Sequence, residues 1–112
     1  MLRRVSPEPE ESVISVAGLE VDLAAHIVRR DGIEIRLTRT EYELLRVLVI
    51  NHGRLLTHPM LLSKVWGPGY ADDVQVLRTH LARLRAKIEP PSGPRRHYIR
   101  TETGMGYRFD PT

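Results

Sequence analysis

The stretch from Val74 to Ile88, V-Q-V-L-R-T-H-L-A-R-L-R-A-K-I, constrains this chain more than any other. Val74, Leu77, Leu81, Leu84 and Ile88 recur at alternating three- and four-residue steps, which is the stripe of one helix face. At about 100° per residue, Gln75, Thr79, Ala82, Arg83 and Ala86 project on the opposite side. Lys87 and His80 flank that outer face on one edge, Arg78 and Arg85 on the other. A solvated helix face ordinarily mixes both signs of charge, yet no acid falls between Val74 and Ile88. The spacing therefore predicts an amphipathic helix whose apolar side meets a core and whose basic side meets a polyanion.

At 112 residues the chain is one small domain or a fragment of a larger protein. It has no cysteine, which excludes disulfides and thiolate metal sites and allows a reducing compartment. No apolar run is long enough to cross a bilayer and no signal-peptide pattern opens the chain, so a cytoplasmic location, with no membrane partner, is the default expectation. Charge is unevenly divided. Residues 1–53 carry seven Lys and Arg against nine Asp and Glu, whereas residues 54–112 carry ten against five. A basic C-terminal half implies an oriented surface toward nucleic acid or acidic lipid.

Residues 1–12, with Pro7 and Pro9 alternating with Glu8 and Glu10, read as a linker or tail, and residues 13–112 as the folded domain. From Val13 the apolar period is two. Ile14 and Val16, then Leu19, Val21 and Leu23, then Ile27–Arg30, then Ile33, Ile35 and Leu37 predict a small antiparallel sheet, apolar on one side and wet on the other. Asp31-Gly32 is a hairpin signal, because a type I′ turn needs positive φ at both central residues. Thr38 and Glu41 have capping-box spacing, predicting a helix to about Asn51 with Tyr42, Leu45, Leu48 and Val49 inward, stopped at His52-Gly53. Leu55-Leu56 reads as a short extended link. Thr57 caps a second helix, with Pro59 in its first turn, packed by Leu61, Leu62 and Val65 and closed by Trp66. Asp72 and Asp73 precede the basic helix and are both assigned to capping it, Asp72 and Gln75 having the spacing of a second capping box. After the prolines of residues 90–94 and the Arg95-Arg96-His97 cluster, residues 98–109 predict a hairpin turning at Thr103-Gly104-Met105-Gly106.

The expected fold class is thus α+β: a winged helix-turn-helix with an N-terminal four-stranded antiparallel sheet, three helices and a C-terminal β-hairpin wing. The major groove of B-DNA admits one helix, and its base edges distinguish all four pairs. Ala82 and Ala86 would let the outer face approach those edges closely.

Four fragments carry a family resemblance: Leu37-Thr38-x-Thr40-Glu41-Tyr42-x-Leu44-Leu45, Val65-Trp66-Gly67, Leu84-Arg85-x-Lys87-Ile88-Glu89 and Gly104-x-Gly106-Tyr107-Arg108-Phe109. In this order, from Val13 to Phe109, the chain resembles the C-terminal effector domain of OmpR/PhoB-type response regulators. Residues 65–70 and 101–109 look most like the KdpE-like branch, regulators of potassium-uptake genes. The resemblance implies control of transcription within a two-component phosphorelay. It implies an upstream receiver domain, absent from this chain, that is served by a sensor histidine kinase. It further implies tandem binding to direct-repeat double-stranded DNA, with the isolated domain monomeric without DNA. In the family the loop between helices two and three contacts RNA polymerase, here Gly67, Pro68, Gly69, Tyr70, Ala71 and Asp72; chain reversal explains the same Gly and Pro residues.

Side-chain chemistry sorts the candidate contacts. Gln75, Val76, Thr79 and Arg83 are assigned to base edges, since Arg suits guanine, Gln adenine, and Val or Thr a thymine methyl. Arg78, His80, Arg85 and Lys87 are assigned to phosphates, with Arg85 equally suited to a salt bridge within the fold. Arg100, Thr101, Thr103 and Gly104 would set the wing on the backbone. Several family members carry Arg where this chain has Thr103, so less minor-groove readout is expected here.

Other classes fit less well. The five histidines lack metal-ligand spacing, no glycine-rich phosphate loop follows a strand, and no serine elbow occurs, so neither an enzyme nor a cofactor is expected. Single-strand and RNA sites stack bases on aromatics, and none falls on the outer face of the basic helix. The remaining alternative is a winged-helix protein-interaction module without specific DNA binding.

Overall fold

A computed structural model describes residues 12–70, 72–89 and 97–111. The expected linker up to Glu11, Ala71 of the inter-helix loop, the proline loop and the Arg95-Arg96 pair lie outside the described residues. Two compact units meet at Arg36 and Leu37.

The first unit is an antiparallel meander of β1 (Val13–Val16), β2 (Leu19–Asp22), β3 (Ile27–Arg30) and β4 (Ile33–Ile35), adjacent in chain order. Asp31 and Gly32 take φ of 52° and 85°, the expected mirror-image turn between Arg30 and Ile33. Ala17 and Gly18 make a second such link, with φ of 51° and 86°. Between β2 and β3 the Asp22 carboxylate accepts the backbone N–H of Ala24 and of Ala25, at 3.0 and 2.9 Å. Cross-strand register puts Leu19, Val21 and Val28 on one side, and all three are buried. Ile35 shares that side and is half-buried. Ile33 shares it too, yet it stands at the hairpin end of a three-residue edge strand and stays 70% exposed. The predicted apolar face is therefore incomplete at β4.

The second unit runs α1 (Arg39–Ile50), β5 (Leu55–Thr57), α2 (His58–Val65), a single 3-10 turn (Pro68–Tyr70), α3 (Val74–Ile88), β6 (Ile99–Glu102) and β7 (Gly106–Phe109). Thr38 caps α1 as its spacing predicts. Its hydroxyl accepts the Glu41 N–H at 3.2 Å, and Glu41 Oε1 accepts the Thr38 N–H at 2.9 Å. Thr57 accepts the Met60 N–H at 3.3 Å and starts α2. At α3 the second of the two acids assigned to capping is the cap, and the box spacing at Asp72 is not used. Asp73, not Asp72, immediately precedes Val74, and its carboxylate accepts the Val76 N–H at 3.4 Å.

Each of the three helices packs on the other two. Leu77, Leu81, Leu84 and Ile88 of α3 are buried, so the apolar stripe is filled. α1 is buried more widely than a single stripe: Leu44 and Val47 join Tyr42, Leu45, Leu48 and Val49. The cause is that α1 contacts β7 as well as both other helices.

Leu55-Leu56 is more than a link. With Thr57 it forms β5, and the sheet order is β5-β7-β6, so the wing hairpin has a third strand and β7 is central. Leu56 lies opposite Tyr107, and Thr57 opposite Gly106. A Cβ on Gly106 would fall inside the Leu56 carbonyl oxygen and 2.8 Å from Thr57 Cα. All of these neighbours are backbone, which cannot swing aside. Gly106→Ala is expected to cost about 2–4 kcal/mol in urea unfolding. Gly104→Ala at the wing tip, where φ is +78° and nothing lies within 4 Å, should cost only about 1 kcal/mol. Equal losses would mean that β5 does not press on β7.

Candidate nucleic-acid interface

Burial of the stripe turns the opposite side of α3 outward. Gln75, Arg78, Ala82, Arg83 and Ala86 are exposed, and Thr79 is half-buried beside Gln75. Among the described residues no acid pairs with Arg78 or Arg83. Val76 is half-buried, and its peptide is held on both sides: its N–H by Asp73, its carbonyl by His80 Nδ1 at 2.9 Å. A carbonyl only accepts, so Nδ1 carries the proton. The His80 ring also stands edge-on to Trp66, centroids 5.1 Å apart. The residue that caps the end of α2 thereby supports the flank of α3.

Three charged residues at the end of α3 bond to the rest of the unit. Arg85 Nη2 donates to the Ile99 carbonyl and to Thr101 Oγ1, both at 2.7 Å, and its guanidinium lies 5.7 Å from the Tyr107 ring centroid. Lys87 Nζ lies 2.6 Å from Glu41 Oε1. Glu89 Oε2 accepts the N–H of Tyr98 at 2.6 Å and of Ile99 at 2.9 Å. Arg85 and Glu89 thus attach the helix to the start of the wing, and Lys87 attaches it to α1.

These bonds revise the sequence-based sorting. Lys87 is not a free flank cation, because its charge is matched by a buried carboxylate. Arg85 bonds within the fold, though to a carbonyl and a hydroxyl and not in the salt bridge expected, so its positive charge still adds to the local field. Arg100 is paired with Asp110 at 3.0 Å. Thr101 accepts from Arg85, leaving its own hydroxyl hydrogen to donate. Thr103 and Gly104 are exposed at the turn, followed by Met105, 51% exposed. Among the described residues of α3 and the wing, positive charge without an acidic partner comes from Arg78, Arg83 and Arg85. Glu89 was not foreseen as a contributor; the signal was its place two residues past Lys87, just before the prolines.

Burial alone would push the Glu41 carboxyl upward. The Lys87 hydrogen bond, the Thr38 N–H, the lysine charge and the Thr38 hydroxyl outweigh it and hold the group below its ordinary range. A depressed folded-state pKa contributes stability above the unfolded value, about 4.3, that is lost as pH falls through the folded one. Lys87→Met removes the hydrogen bond that lowers this carboxyl most, together with the lysine charge, and leaves Glu41 buried without its cation. Urea unfolding should show a loss of about 1–3 kcal/mol at pH 7, below the figure for a fully buried pair because the lysine side chain is 38% exposed. That loss should shrink at pH 5; the same loss at both pH values would contradict the pairing.

Around the 3-10 turn, Gly67 is half-buried, and Pro68, Gly69, Tyr70 and Asp72 are exposed, Tyr70 by 46%. Among the described residues no group of three or more His, Asp or Glu side chains could hold a metal ion, and no helix is long and apolar enough to cross a membrane.

A family described as "Transcriptional regulatory protein, C terminal" matches residues 32–109. The transcriptional regulatory protein KdpE of Mycobacterium tuberculosis is 46% identical over 104 residues, 92% of this chain and 45% of that protein. The chain therefore spans about half the length of the curated relatives it matches. Among solved structures, the response regulator DrrB of Thermotoga maritima, described as an OmpR/PhoB homolog, superposes with a TM-score of 0.74 at 31% identity, covering 88% of this chain and 44% of that one. The Klebsiella pneumoniae RstA DNA-binding domain, solved in complex with the RstA box, gives a TM-score of 0.76 at 25% identity, covering 88% and 96%.

Proposed function

This chain belongs to the OmpR/PhoB-type family of transcriptional regulatory C-terminal domains, and from that premise we propose that it binds double-stranded DNA in a sequence-specific way and so controls transcription. One observation carries the reading: a fully docked helix presents an outward face of Gln75, Arg78, Thr79, Ala82, Arg83 and Ala86 on which neither arginine has an acidic partner among the described residues. α3 enters the major groove. Gln75, Val76, Thr79 and Arg83 face base edges, and Arg78 with the field of Arg85 meets phosphates. The wing, residues 98–109, lies on the adjacent backbone or minor groove through Thr101, Thr103 and Gly104.

Within this reading the chain is the effector part of a two-component regulator, joined to a receiver domain that a sensor histidine kinase phosphorylates. Two copies occupy a direct repeat, and the domain alone is monomeric without DNA. The loop of residues 67–72, exposed at Pro68, Gly69, Tyr70 and Asp72, is the surface for RNA polymerase. The KdpE-like branch, regulators of potassium-uptake genes that the sequence resembles, is the narrower assignment, supported by the 46% identity.

Selection from a random duplex pool, followed by anisotropy titrations at several salt concentrations, tests the proposal. A recovered direct repeat supports tandem binding, and a palindrome contradicts it. Arg83→Ala should cost roughly 1–3 kcal/mol and relax one base preference. Arg78→Ala should weaken all duplexes alike and lower the slope of log K against log salt by about 0.9. A chain that recovers no duplex, with no salt-dependent affinity, would be an interaction module instead.

A further inference from the structure

On the outward face of α3 one contact joins two of the residues assigned to base edges. Gln75 Nε2 donates to Thr79 Oγ1 at 3.4 Å, one helical turn further on. Gln75 is the chain's only glutamine, and the amide of its only asparagine, Asn51, donates to the Val47 carbonyl at 2.8 Å at the end of α1. Of the two side-chain amides in this chain, that of Gln75 is the one that stands exposed on the outward face of α3.

A primary amide has two N–H donors and one carbonyl acceptor. Thr79 uses one N–H. One N–H and the carbonyl oxygen remain, and these match the N7 acceptor and N6 amino group that adenine shows in the major groove. No other base offers that pair there. The contact is long, so it biases the glutamine rotamer rather than locking it. A bias of this kind lowers the ordering cost that a flexible side chain meets on binding. Ala82, the next exposed residue along the face, adds no bulk that would hold the amide away from a base.

We infer that Gln75 and Thr79 form one reading unit, in which the Gln75 amide recognises adenine and Thr79 is a positioning residue whose hydroxyl holds that amide toward the base. The inference rests on the duplex-DNA reading above and adds to it the base and a division of labour. Thr79 then faces the base edge through the amide it positions, and that role replaces the direct base contact assigned to it above.

The test uses the duplex recovered from the random pool, with each adenine in turn replaced by 7-deazaadenine or exchanged for guanine. For the unaltered domain, one adenine per half-site should be preferred roughly tenfold or more, with N7 required. Gln75→Ala should abolish that preference and leave the others intact. Thr79→Val, which keeps the shape and removes the hydroxyl, should reduce it roughly fivefold. Thr79→Ser should restore it. Thermal melts of each variant confirm that the fold is retained. The inference is overturned if Gln75→Ala keeps every adenine preference, if Thr79→Val matches the parent, or if Thr79→Ser behaves like Thr79→Val. Recovery of Arg83-dependent sites in which no position responds to Gln75 sinks this inference alone. Recovery of no sites at all sinks the duplex-DNA reading with it.

Discussion

One carboxylate oxygen ties the local and long-range structure of the second unit together. Glu41 Oε1 accepts the Thr38 N–H that starts α1 and, on the same atom, the Lys87 ammonium near the end of α3. A lone carboxylate at this depth would be costly, since burial disfavours its charged form. Supplying it with a helix-start N–H and a lysine makes the charged form the favoured one. The result is a directional polar contact between α1 and α3. Two residues to either side, Arg85 and Glu89 fasten the same turn to the wing strands. Three successive charged positions thus fix how far α3 is rotated and where the wing stands beside it.

That fixation decides which charges remain for a partner. A composition count treats every arginine and lysine of α3 as equivalent. In the fold, Lys87 is matched by Glu41 and Arg100 by Asp110, whereas Arg78 and Arg83 have no acidic partner among the described residues. Arg85 is intermediate: held by a carbonyl and a hydroxyl, it keeps its charge but has little freedom to move. Such a surface suits base reading better than general attraction to a polyanion. Its free cations are few and set among an amide, a hydroxyl and two alanines.

Much of this was legible in the sequence where the cause is local. The Thr38-Glu41 box, the Thr57 cap, the Asp31-Gly32 turn and the Val74–Ile88 stripe depend on residues within a few positions of one another. What escaped depends on distant partners. β5 is three residues with no alternation to mark it, and it is a strand only because β7 lies beside it. The Lys87 pairing spans 46 positions and leaves no periodic trace. The Asp72–Asp73 ambiguity arose because both acids precede the helix, and only the backbone decides which carboxylate reaches Val76. Ile33 kept the right alternation and still faces solvent, because alternation gives the side of a sheet but not how far its cover extends.

The central claim is that α3 divides its polar residues between a structural end and a reading face. Side-chain NMR during titration with a recovered duplex tests it most directly. The account predicts that the Arg83 guanidinium and Gln75 amide signals shift on binding while the Lys87 ammonium signal stays where Glu41 holds it. A Lys87 signal that moves to a phosphate-bound position, with Arg83 and Gln75 unchanged, would contradict it.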